Sequence, residues 1–185
     1  FSKLEILLCE EFDKYPLDFV RRIGIQQICF VKALRNGSNF VFAVPDYYKK
    51  VMYYDITYNG VEEEWRRHCI HHEIYHYIEF VLNGDAYYKD KEWAKLNESG
   101  FRYGTGGKNN RSNNQAVNFH PEKGFMNLYS MSALEEDKAE IFAFLFVPSQ
   151  RKALQEYSMK DPILAAKVKY MKNFLSKYSN EFKLD

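Results

Sequence analysis

His72, Glu73 and His76 spell H-E-x-x-H, a spacing that builds a zinc site when it lies on a helix. Positions i and i+4 stack on one helical face about one turn apart, so both imidazoles can reach a single ion. Glu73 is rotated by roughly a quarter turn from His72. It therefore flanks the metal instead of binding it, where a general base must stand to take a proton from zinc-activated water. A catalytic zinc takes three protein ligands and keeps one position open, so a third ligand must come from elsewhere. The extended pattern H-E-x-x-H-x-x-G-x-x-H fails here, because Glu79 and Leu82 occupy its glycine and last histidine.

Glu136 is the favoured third ligand. It opens a strongly patterned segment, with Glu140 one turn along on the same face and placed to hydrogen-bond a ligand histidine. His120, in a loop beside Pro121, and Asp137 stay open as alternatives. The bland reading of Glu135, Glu136 and Asp137 is a solvated acidic helix start that suits the dipole. His68 continues the four-residue histidine stripe, but helical drift carries it off the metal into a supporting role. His71 faces away from the site.

These residues need elements to hold them. Residues 2–15 carry Leu4, Leu7, Leu8 and Phe12 as a helical stripe that Pro16 ends, with a short turn of helix over 16–22. Residues 25–34 read as a strand, Asn36-Gly37 as a hairpin turn, and residues 40–44 as the partner strand, broken by Pro45-Asp46. Residues 51–57 form a third strand. The motif helix starts near Glu62 to Glu64, whose charges favour the positive end of its dipole, and stops at Asn83-Gly84. Its core stripe is Ile70, Ile74, Tyr77 or Ile78, and Val81.

A short helix is expected over 91–96, then a long glycine- and asparagine-rich loop over 97–127, anchored by Phe101, Tyr103, Phe119 and Phe125. Loops of that length are often functional. A capping box at Ser132 to Glu135 opens a helix that ends at Pro148, and helices near 149–159 and 162–178 follow. The fold class is α+β in one domain over 1–185. A small N-terminal mixed β-sheet packs on the motif helix, and a mainly helical C-terminal half follows.

The 26 basic and 25 acidic residues are interspersed and leave a net charge of +1, so no basic stripe marks a nucleic-acid footprint. The longest apolar run, Ile141 to Val147, is far short of a membrane span. Cys9, Cys29 and Cys69 form no C-x-x-C pair and read as buried thiols more than as a disulfide framework, with one bridge plus one free thiol as the alternative. A chain that begins at Phe1 is expected to be processed, with a secreted or surface-anchored origin and its targeting segment removed.

His72-Glu73-x-x-His76, Tyr129 and Glu136-x-x-Ala139-Glu140-x-Phe142-Ala143 together resemble the gluzincin type of zinc metallopeptidase. They are similar to the catalytic domains of anthrax lethal factor and the clostridial Pro-Pro endopeptidases, and to zinc-binding metallopeptidases of bacterial lipoproteins. The resemblance covers roughly Val51 to Pro148. It implies a zincin-like fold, one catalytic Zn2+ held by His72, His76 and Glu136, and Glu140 as support. It also implies Tyr129 as a donor to the oxyanion. The 97–127 loop has no counterpart in lethal factor, and no proline-binding signature is present, so substrate choice does not transfer.

The expected partner is a protein or peptide substrate, cleaved by a monomer. The strand around Met52 to Asp55 reads equally as an ordinary half-buried strand or as an edge to which an extended peptide adds, with Tyr53, Tyr54 and Tyr103 meeting it. The reading from another class is a non-catalytic zinc-containing binding module, or an inactive peptidase-like protein, that captures a partner. Glu73 speaks against it, since a structural zinc needs no base.

Overall fold

The computed structural model describes residues 2–106 and 120–184. The chain is α+β. The N-terminal part runs α1 (Ser2–Phe12), α2 (Leu17–Ile23), β1 (Gln27–Val31), β2 (Arg35–Asn36), β3 (Asn39–Phe40), β4 (Ala43–Asp46) and β5 (Val51–Asp55). The rest is helical among the described residues: α3 (Glu63–Asn83), α4 (Lys91–Ala94), α5 (Leu134–Phe146), α6 (Pro148–Ser158) and α7 (Pro162–Ser176). The small mixed sheet and the helical second half follow the sequence expectation.

The sheet order is β1-β5-β4, with β1 parallel and β4 antiparallel to β5. This corrects two expectations. The residue 25–34 strand does not pair with the strand that follows the Asn36-Gly37 turn; that turn closes only the two-residue strands β2 and β3. Residues Met52 to Asp55 are not an edge but lie in the central strand. Val51, Met52, Tyr54 and Asp55 are all buried, the signature of a strand covered on both faces. The edges are β1 and β4, and β4 runs through Pro45 instead of ending there. Proline lacks a backbone N–H, which an edge strand tolerates and a central one does not.

Asp55 secures the end of β5. Its carboxylate accepts hydrogen bonds from Leu34 N at 2.8 Å and Thr57 N at 2.7 Å, fixing the approach to α3. Helix α3 lies against β4 and α5. Ile70, Ile74, Tyr77 and Ile78 are buried as the stripe requires, whereas Val81 is exposed near the helix end. Gly84 closes α3 in the left-handed conformation, φ 70°, with its N–H bonded to Phe80 O at 2.8 Å.

Every residue of α5 is buried. A helix buried all round must satisfy each polar side chain internally, and this overturns the solvated acidic start. Lys138 Nζ meets Glu79 at 2.7 Å and Asp90 at 3.1 Å. The capping box fails as well. Ala133 is the N-cap with no side-chain bond, and Ser132 Oγ is buried without a hydrogen-bond partner among the described residues.

Phe101, Tyr103 and Phe125 pack together, with the Phe101 and Phe125 rings 4.6 Å apart. Phe119 and the middle of the expected long loop lie outside the described residues. The three cysteines are free; Cys9 is exposed, against expectation, and Cys29 and Cys69 are half-buried.

Candidate metal centre

The α3 helix brings His72 and His76 onto one face, and α5 lays Glu136 across from them. His72 Nε2 lies 3.0 Å from His76 Nε2 and 3.0 Å from Glu136 Oε2, and His76 Nε2 lies 3.2 Å from the same oxygen. Three donor atoms thus form a nearly equilateral triangle. Tetrahedral zinc ligands at about 2.0–2.1 Å from the ion stand roughly 3.3–3.4 Å from one another. A small opening of the triangle would therefore accommodate zinc, and the two-imidazole, one-carboxylate donor set suits it. All three side chains are buried, where a cluster of acceptors needs a proton or a cation between them.

The electrostatics agree. Burial by itself would raise the Glu136 carboxyl, but the His76 and His72 imidazoles hold it well below its usual range. Burial would likewise lower His72, yet Glu136 and Glu140 outweigh it and hold the imidazole well above its usual range. In the metal-free chain the site therefore keeps a proton that an incoming cation must displace.

Glu140 sits one turn further along α5. Its Oε1 lies 2.8 Å from His72 Nδ1, a close ionic contact without the angle of a well-formed hydrogen bond. The same oxygen meets His68 Nε2 at 3.0 Å. His68, His72 and Glu140 thus form a second buried group of donors, sharing His72 with the His72, His76 and Glu136 triangle. His71 points the other way, into a buried cluster with Tyr15 and Glu11.

Glu73 is half-buried and lines a cleft of about 790 Å³ that also exposes His72, Tyr129, Asn127, Trp65 and Phe42. The Tyr129 ring lies 5.6 Å from that of His72. Burial, reinforced by the Glu136, Glu73 and Glu140 carboxylates, pushes its phenol above the usual range and keeps it a donor. The edge strand β4 contributes Ala43 to the same cleft.

Other expected residues lie elsewhere. His120 meets Asp161 at 3.0 Å and stacks on Tyr157. Asp137, though adjacent to Glu136, turns to the opposite side of α5 and meets Lys167 at 2.8 Å. Tyr103 donates to that same carboxylate at 2.7 Å, and Tyr54 is fully buried against Phe42. Neither they nor Tyr53, which sits in the central strand, line the cleft. Asn127 and Gln150, both buried and bonded into the site's surroundings, escaped the sequence reading. Neither sits at a motif spacing that would have marked it.

Residues 20–185, which include both helices of the site, match the model of a family described as "putative zinc-binding metallo-peptidase". No curated protein and no solved structure matched the chain. The family match spans well over half of the sequence, and the chain therefore belongs to the zinc-binding metallo-peptidase family that this model describes.

Proposed function

We propose that this protein is a zinc-dependent endopeptidase of the gluzincin type, with His72, His76 and Glu136 holding one catalytic zinc. The observation that carries the reading is the convergence of His72 Nε2, His76 Nε2 and Glu136 Oε2 within 3.0–3.2 Å of each other, beside a cleft that Glu73 lines. A zinc ion held there supplies Lewis acidity and makes water nucleophilic near neutral pH.

The chain's own residues do the rest. Glu73 accepts a proton at its carboxylate from the attacking water and passes it to the leaving amine. Tyr129 donates its phenolic hydrogen to the oxyanion that forms on the former carbonyl oxygen. Glu140, against His72 Nδ1, holds that imidazole in orientation. A peptide substrate would lie extended along β4, the edge that borders the cleft. The aromatic walls of Phe42 and Trp65 would take its side chains.

Metal analysis of the purified protein, paired with a peptide-library cleavage screen of wild type against Glu73→Gln, tests this. One zinc per chain in both proteins, with cleavage by the wild type alone, is the expected result. Zinc with no cleavage by the wild type would favour a binding module, and no zinc would end the proposal.

A further inference from the structure

Glu140 is held by more than the ligand it supports. The carboxylate is 4% exposed, and its Oε1 meets both His72 Nδ1 at 2.8 Å and His68 Nε2 at 3.0 Å. His68 is fixed in turn, its Nδ1 lying 2.7 Å from Oε1 of the fully buried Gln150. The other oxygen, Oε2, accepts a hydrogen bond from Asn127 Nδ2. A carboxylate's last torsion is broad and roughly two-fold, so its plane is set by what it touches. Here donors on both oxygens set it.

Asn127 is 5% exposed, and both ends of its amide are used. Its Oδ1 accepts from Ser130 N at 2.8 Å, and its backbone carbonyl accepts from Ser130 Oγ at 2.6 Å. Those bonds close the turn over residues 127–130, and Ser132 N bonds back to Tyr129 O at 2.9 Å. Tyr129 is carried on that turn, with its ring 5.6 Å from that of His72. One amide therefore touches both the carboxylate behind a metal ligand and the turn that presents the phenol.

We infer that Asn127 is a positioning residue that registers Tyr129 against His72 through Glu140, so that the metal site and the oxyanion donor keep one geometry. The inference rests on the zinc-peptidase reading above. Without the Asn127 amide, Glu140 Oε2 is buried without its donor and the turn loses its tie. The two halves of the site should then drift together.

The test uses Asn127→Ala and Asn127→Asp, each alone and combined with Tyr129→Phe. Zinc affinity is read by chelator competition, and kcat and KM on a cleaved peptide. Loss of an outer hydrogen-bond partner typically weakens metal binding by about 10–100-fold, and both variants should fall in that range. They should lower kcat with little change in KM. The doubles should be far less impaired than the product of their single effects, because residues that act as a unit are not additive. If Asn127→Ala does not fold, Asn127→Asp, the same in shape but with a carboxylate facing Glu140, carries the test.

Wild-type zinc affinity in both variants overturns the inference, and so do effects that multiply cleanly with Tyr129→Phe. A wild type that takes up no zinc overturns the peptidase reading and the inference together. A wild type that binds zinc but cleaves nothing overturns only the peptidase reading; the affinity of the Asn127 variants then decides the inference.

Discussion

Glu136 Oε2 lies 3.0 Å from His72 Nε2 although the two residues are 64 positions apart in the chain. That contact turns a two-histidine helix motif into a three-donor site, and several outcomes hang on it. Glu136→Ala should weaken zinc binding by roughly tenfold or more, since it removes one of the three ligands proposed above. Chelator competition measures this, and unchanged affinity would send the third-ligand role elsewhere.

Asp137→Asn should behave differently from its neighbour. The Asp137 carboxylate serves Lys167 at 2.8 Å, Trp93 Nε1 at 2.7 Å and Tyr103 at 2.7 Å on the far side of α5. Removing one partner of a buried ion pair typically costs about 3–5 kcal/mol. Both Asp137→Asn and Lys167→Met should lower the denaturant midpoint while zinc stoichiometry holds. A metal-free Asp137→Asn protein that is otherwise stable contradicts the placement.

Glu73→Gln keeps the side chain's shape and removes its basicity. Turnover should fall by about 10²–10⁴-fold, the usual contribution of a positioned base, with zinc content unchanged. Retained turnover would remove Glu73 from the chemistry.

For Tyr129→Phe, kcat should fall by roughly 10²–10³-fold, as for loss of one oxyanion donor, with zinc affinity nearly intact. Steady-state kinetics beside chelator titration read both. Full activity would make Tyr129 a packing residue.

Acid should loosen the attachment of α1 to α3. Burial, against the pull of Glu11, holds the His71 imidazole down at about 4 from a usual 6.5. Burial would raise Glu11, but hydrogen bonds from His71, Lys14 and Arg67 bring it from 4.5 to about 2. Below pH 6.5 the unfolded chain protonates His71 while the folded chain does not, so stability falls as pH drops from 6.5 towards 4. Glu11's contribution, full above 4.5, is lost between 4.5 and about 2. One proton gives a slope of up to about 1.4 kcal/mol per pH unit. Chemical denaturation of metal-free protein should show the decline, and His71→Gln should flatten its upper part. An identical slope in that variant would rule the buried imidazole out as the source.

Local chemistry carried much of this protein into view. Four-residue spacing set His72 and His76 on one helical face with Glu73 beside them, because helical period is a property of the backbone itself. Gly84 ended α3 where its left-handed φ is cheap. Other features depended on partners distant in sequence. The Met52 to Asp55 strand alternates like a half-buried edge, yet neighbours on both sides make it central. The bland reading of Glu135, Glu136 and Asp137 as a solvated helix start fails because α5 is buried all round, and what packs against it gives Glu136 and Asp137 their separate partners. Three adjacent acidic residues spell the same local pattern whichever of them turns to the histidines. The spacing to Glu140 favoured Glu136, but only the packing of α5 across α3 decided that Glu136 faces His72 while Asp137 faces Lys167.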